Sequence, residues 1–166
     1  MKPTKQLLIV YHSLTGGTLQ MARAAASGGA REPTVDVRLQ TAAATGPDAL
    51  LEASAYLFAC PENLASMSGV MKDFFDRCYY PVLDKIQGRP YATLICAGSD
   101  GSNAARQIAR IATGWRLEAI AEPLIVCTHA QTPEEILRPK QITAPDLARC
   151  EELGATLAAG LDFGIY

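Results

Sequence analysis

Five short apolar runs, separated by amphipathic stretches, limit this chain to a small set of folds. The runs are Leu7–His12, Val35–Leu39, Ala55–Cys60, Ala92–Ala97 and Leu124–Thr128. Four of them are near-continuous, as expected of parallel strands covered on both faces. Between them, Met71, Phe74, Phe75 and Cys78 recur at helical spacing, and so do Ala104, Ile108, Ile111 and Ala112. A last helix is marked by Leu147, Cys150, Gly154, Leu157 and Leu161, with Thr143 and Asp146 as an N-cap arrangement. A short helix is expected around Asp48–Ala53, after the small-residue loop Thr41–Pro47. Alternating strands and helices with short connections predict an α/β doubly wound parallel sheet. Right-handed crossovers then put helices on both faces. Five strands favour the order 2-1-3-4-5. Pro123, just before the last apolar run, suits a strand at the sheet edge. Pro133–Ile142 reads as an excursion before the final helix.

Composition narrows the function. The chain has 166 residues and 49% apolar content, which predicts one globular domain over 1–166 with a sizeable core. A formal net charge of −2 leaves no basic footprint for nucleic acid. No apolar stretch approaches the ~18 residues of a membrane-spanning helix, so no membrane partner is expected. Residues 1–12 faintly imitate a signal peptide, but the apolar part is short and no small-residue cleavage site follows. Five widely spaced cysteines without a C-x-x-C pair fit a reducing cytoplasm, and with two distant histidines they make a metal site unexpected.

The first strand runs into Ser13-Leu14-Thr15-Gly16-Gly17-Thr18, and a helix-forming segment follows. Unpaired amides at a helix start, glycines that permit close backbone approach, and hydroxyls from Ser13, Thr15 and Thr18 make a phosphate cradle. The same turn also reads as a plain βα connection with a capping threonine. Two more loops fall on the same expected rim, at the carboxyl ends of neighbouring strands. One is Pro61-Glu62-Asn63-Leu64-Ala65-Ser66-Met67-Ser68, whose Leu64 and Met67 would either lie along a flat ring or tuck under the loop as core. The other is Gly98-Ser99-Asp100-Gly101-Ser102-Asn103, rich in free amides, or else an ordinary turn capped by Ser102. Together the loops describe a mononucleotide site, and spacing alone does not choose a base over a flavin.

Ser13-x-Thr15-Gly16-x-Thr18 resembles the FMN phosphate loop of flavodoxin-like flavoproteins. The stretch from Pro61 to Arg77, with Lys72, Asp76 and Arg77 on its helix, is similar to the flavin-ring loop of NAD(P)H-dependent FMN and quinone reductases. Gly98-Ser99-Asp100-Gly101 falls where that family has its third FMN loop. The resemblance implies a flavodoxin-like three-layer sandwich around a five-stranded parallel sheet, with FMN bound non-covalently. Ser13, Thr15, Gly16, Gly17 and Thr18 would hold the phosphate. Pro61, Glu62, Asn63, Leu64 and Met67 would line one side of the ring, and Gly98, Ser99, Asp100 and Gly101 the other. It implies hydride transfer from NAD(P)H to the flavin, then electron release to a small acceptor such as a quinone or free flavin, with no side chain acting as acid or base. The alternative is a flavodoxin-type one-electron carrier that docks to a protein partner. The ring loops depart from many flavodoxins in having no Tyr or Trp, and the chain lacks the acidic excess of pure carriers. A homodimer would suit a reductase, since a second subunit could complete an exposed flavin site.

His12 and Cys60 end adjacent expected strands and raise a Cys–His nucleophilic pair, against a buried cysteine and a strand-ending histidine. The Lys72/Asp76 and Asp73/Arg77 pairs read as a solvated helix face. Trp115 reads as packing at a helix end.

Overall fold

The computed structural model describes residues 4–166. Its strands are β1 (Lys5–Tyr11), β2 (Val35–Thr41), β3 (Ala55–Asn63), β4 (Ser66–Met67), β5 (Pro90–Ala97), β6 (Glu118–Ala119) and β7 (Leu124–Cys127). Its helices are α1 (Gly17–Gly29), α2 (Pro47–Glu52), α3 (Gly69–Val82), α4 (Ser102–Gly114), α5 (Pro133–Leu137) and α6 (Ala144–Phe163).

Strands β2, β1, β3 and β5 pair in parallel in that order, and β6 and β7 both continue the sheet beyond β5. The expected order 2-1-3-4-5 is therefore present, with the fifth strand cut into two pieces. Pro90 and Tyr91 pair with Glu118 and Ala119, and Leu94 to Ala97 pair with Leu124 to Cys127. Pro123 has no N–H to give the ladder, and the break falls immediately before β7 at the sheet edge.

The strands bury alternate residues on opposite faces, as a period of two requires. Leu8 and Val10 of β1, Tyr56, Phe58 and Cys60 of β3, and Ile95 of β5 face α2, α3 and α4. Leu7 and Ile9, Leu57 and Ala59, and Leu94 and Cys96 face α1 and α6. The first layer is aromatic: Phe58 stands 5.2 Å from Phe75, and Trp115 stacks on Tyr79 at 5.7 Å. Trp115 donates its indole N–H to Tyr79 O and is 1% exposed, so it packs at the end of α4 as the sequence suggests. The second layer depends on small residues. A Cβ on Gly28 would collide with the Glu151 carbonyl, and one on Gly154 with the Ala25 carbonyl, so α1 and α6 pack backbone to backbone.

Arg77 ties α3 to the loop before α2. It pairs with Asp73 and also donates to Thr45 O and Ala42 O, at 3.0 and 2.8 Å. Its role is thus structural, beyond that of a solvated helix face. No helix among the described residues is long and apolar enough to cross a membrane.

Candidate functional site

Tyr11, Asn63 and Ala97 end β1, β3 and β5 on one rim of the sheet, and the turns that follow enclose a cavity of about 540 Å³. That size falls within the range of small-molecule sites, about 300–1,000 Å³. Leu14 and Thr15 line it from the first turn, Pro61, Glu62, Asn63, Leu64 and Ala65 from the second, and Cys96, Ala97, Gly98 and Ser99 from the third. A fourth wall comes from residues after β7: Thr128, Ala130, Gln131, Ile136 and Lys140. Among the described residues no aromatic side chain lines the cavity. Its rim is aliphatic, with Leu14, Leu64 and Ile136 exposed.

The first turn is built as a cradle. Ser13 Oγ accepts the Gly16 N–H at 3.1 Å, and Gly16 turns with φ +91° into α1. The first helical bond runs from Gln20 N–H to Gly16 O at 3.1 Å. The amides of Gly17, Thr18 and Leu19 precede it and have no partner among the described residues. They meet an anion with the favourable end of the helix dipole. A Cβ on Gly17 would stand 2.7 Å from Cys96 Sγ and 3.3 Å from Lys140 Cβ, so only glycine lets the floor and the fourth wall close on the turn. Thr18 is buried within the start of α1.

The second turn is a hairpin rather than an open loop. Glu62 and Asn63 of β3 pair antiparallel with Met67 and Ser66 of β4. Leu64 and Ala65 form its tip with φ of +50° and +61°. Left-handed backbone at both tip residues is what a two-residue hairpin of this twist demands, and neither leucine nor alanine adopts it freely. Leu64 is fully exposed there.

Glu62 joins the second turn to the third. Its Oε1 accepts the Gly101 N–H at 2.9 Å and its Oε2 accepts the Ala104 N–H at 3.0 Å. The carboxylate therefore caps α4 from another segment, and Ser102 is not the cap; the N-cap residue is Gly101. Asn103 Nδ2 also donates to Ala65 O, at 2.5 Å. Asp100 accepts the Ser102 N–H at 3.2 Å, and the Ser102 donors hold its carboxyl below the usual range.

The expected site residues thus separate into groups. Thr15, Pro61, Glu62, Asn63, Leu64, Gly98 and Ser99 line the cavity. Ser13, Gly16, Gly17 and Thr18 form the turn and helix start beneath it, while Asp100 and Gly101 belong to the cap of α4. Met67 is not brought to the ring side. It is 5% exposed in the core beside α3 and α4, because pairing with Glu62 puts it on the hairpin face that turns toward α4.

The fourth wall was missed as a site element and read only as an excursion. Its clearest sequence signal is Thr132-Pro133-Glu134-Glu135, a capping box in which Thr132 accepts the Glu135 N–H and Glu135 accepts the Thr132 N–H. Gln20 fastens this strap to α1. It donates to Gly16 O and Lys140 O and accepts the Ile142 N–H. Lys140 N–H donates to Thr15 O at 2.9 Å, and its ammonium caps α5 through Glu135 O, Ile136 O and Arg138 O.

His12 and Cys60 share no hydrogen bond among the described residues. His12 Nδ1 lies 2.9 Å from Ser68 Oγ, and burial lowers the imidazole pKa. Burial pushes the Cys60 thiol up to about 12, away from thiolate chemistry.

Solved structures share this architecture. A flavodoxin from the domain Archaea superposes with a TM-score of 0.76 at 23% identity, over 95% of this chain and 99% of its own. A flavodoxin, WrbA-like protein from Agrobacterium tumefaciens gives 0.72 at 17% identity, over 96% and 98%. The rubredoxin oxygen:oxidoreductase of Desulfovibrio gigas gives 0.78 at 19% identity, over 99% of this chain and 38% of that larger one. No curated protein matches the sequence. Residues 36–130 match the model of the NADPH-dependent FMN reductase family, a span that takes in the second and third turns and more than half of the 166 residues. The chain belongs to the NADPH-dependent FMN reductase family.

Proposed function

We propose that this protein holds FMN non-covalently in the rim cavity and acts as an NAD(P)H-dependent reductase for a small acceptor such as a quinone or free flavin. One observation carries the reading: three turns far apart in sequence converge on one cavity, and beneath it lie helix-start amides that have no partner among the described residues. When bound, FMN supplies two-electron chemistry between the nicotinamide and the acceptor. The chain's own residues do the positioning. Thr15 and the Gly17, Thr18 and Leu19 amides hold the phosphate. The Pro61–Ala65 hairpin and the Gly98–Ser99 turn flank the ring, and their backbone amides favour negative charge on it. Glu62 keeps the two flanks in register through α4. The exposed aliphatic side chains of Leu14, Leu64 and Ile136 would offer a flat acceptor an apolar approach to the cavity. Five free cysteines, four of them buried, suit a cytoplasmic setting.

The test is to load the protein with FMN, remove free flavin, and add NADPH or NADH without oxygen while recording flavin absorbance. Rapid bleaching is expected. A flavin that stays bound and oxidised overturns the reductase reading in favour of a carrier. Thr15→Val, which removes one hydroxyl from the cradle, is expected to weaken FMN about tenfold, the scale of one hydrogen bond. Unchanged FMN affinity would remove the phosphate from this turn.

A further inference from the structure

A second hollow, of about 410 Å³, lies between α3 and α4, beside β4 of the hairpin. Its lining includes Ser66, Met67, Lys72, Tyr79, Gln107 and Arg110, and no carboxylate among the described residues. Gln107 fixes the hairpin to α4, its Oε1 accepting the Ser66 hydroxyl at 3.1 Å and the Met67 N–H at 2.8 Å. Tyr79 lies flat on Trp115, with 17° between the rings, so that wall is rigid as well.

Of the two cations on this hollow, one is compensated and the other is not. Lys72 pairs with Asp76 at 2.5 Å on its own helix. Arg110 takes part in no ion pair among the described residues. Helix α4, SNAARQIARIATG, carries two arginines and no acidic residue. A guanidinium left free on the lining of a preformed hollow is suited to a phosphate, which it can grip through two parallel hydrogen bonds, and the Lys72 ammonium keeps donors beyond its bond to Asp76.

The hairpin connects the two hollows. Its Asn63, Leu64 and Ala65 line the rim cavity, and its Ser66 and Met67 line the hollow beside α4. We propose that this hollow receives the phosphate-bearing end of the nicotinamide dinucleotide, with Arg110 as the principal anion ligand and Lys72 as the second. The proposal rests on the reductase reading above. An extended dinucleotide laid across the hairpin tip would have its nicotinamide over the rim cavity and its phosphates beside Arg110. The surrounding surface disfavours an acidic protein as occupant. Asp73 and Asp76 expose more than half of their side chains on α3, and a broad acidic face would meet them at like charge. A single phosphate group avoids them.

The test measures equilibrium binding of NADP⁺ and NAD⁺ to the FMN-loaded protein by calorimetry, with no turnover. The variants are Arg110→Gln, Arg110→Lys and Lys72→Met, each checked for fold by circular dichroism and for flavin content. Arg110→Gln is expected to raise the NADP⁺ Kd about tenfold or more, with partial recovery in Arg110→Lys and a smaller loss in Lys72→Met. A loss confined to NADP⁺ assigns the hollow to the extra phosphate of that nucleotide; an equal loss for NAD⁺ assigns it to the shared diphosphate. Either result supports the proposal. Unchanged affinities in Arg110→Gln and Lys72→Met, with wild-type bleaching intact, overturn this inference alone and leave the hollow to another occupant, an acidic protein included. Wild-type protein that neither bleaches with nor binds either nucleotide overturns the reductase reading and this inference with it.

Discussion

Replacing Glu62 by glutamine isolates the contact that couples two walls of the site. The wild-type carboxylate accepts from Gly101 N–H at 2.9 Å and Ala104 N–H at 3.0 Å. Glutamine has nearly the same shape but only one acceptor oxygen, so its NH₂ faces one of the two amides as donor against donor. The lost bond is to a charged group, which is worth about 1.5–3 kcal/mol. Removing negative charge from a helix N-terminus costs about 0.3–1 kcal/mol more. Glu62 is half-buried, which keeps the sum in the lower part of that range, about 2–3 kcal/mol. For a domain of this size the melting temperature should fall by roughly 4–12 °C, at about 2–4 °C per kcal/mol. The assay is urea and thermal unfolding of the flavin-free protein at pH 7, with Glu62→Asp as a control whose shorter arm cannot span both amides. FMN affinity should fall as well, because the Gly98–Ser99 wall is no longer held against Pro61–Asn63. A stability loss below about 0.5 kcal/mol in Glu62→Gln would refute the capping argument.

Other consequences are equally direct. Leu64→Asn with Ala65→Gly relieves left-handed strain at the hairpin tip and should raise stability by about 1–2 kcal/mol in urea melts, with FMN or nucleotide binding weakened as the tip loosens. His12 has its pKa lowered below 6.5 by burial, so between the two values the unfolded chain binds more protons than the folded one. Stability should therefore fall as pH drops through about 6.5 and level off below the folded pKa, and His12→Gln should flatten that slope. Burial pushes Cys60 and Cys150 up to about 12 and Cys78 and Cys96 up to about 11. Brief alkylation of the native protein at pH 8 should therefore label Cys127 first, and mass spectrometry should find the other four modified only after unfolding.

The parts legible in the sequence are those controlled by local periodicity and turn chemistry. Five apolar runs located β1, β2, β3, β5 and β7, and Met71, Phe74, Phe75 and Cys78 located the buried face of α3. The hydroxyl and glycine pattern of residues 13–18 located the turn that opens α1. What escaped were polar side chains that satisfy backbone at a distance. Nothing near Glu62 in sequence reveals that it will cap a helix about forty residues later, and its obvious reading was a ring contact. Met67 was ambiguous because an apolar residue in a long loop can face either way; a two-residue strand pairing with Glu62 decides it. The first piece of the fifth strand, Glu118–Ala119, escaped because two residues are too short to show a period.

The strap across the first turn shows where such reading runs out. Thr132 and Glu135 cap α5 locally and were open to recognition. The position of that helix over the cradle comes from Gln20, which reaches Lys140 and Ile142 across about 120 residues of sequence. A glutamine in the first turns of a helix carries no signature of a distant partner. The geometry itself supplies the reason for the contact. Lys140 commits its backbone N–H to Thr15 O and its ammonium to three carbonyls at the end of α5, so its charge is held at the wall of the cavity. A cradle of neutral amides and hydroxyls thereby gains one fixed positive charge beside it, supplied by the segment that composition alone marks as a loop.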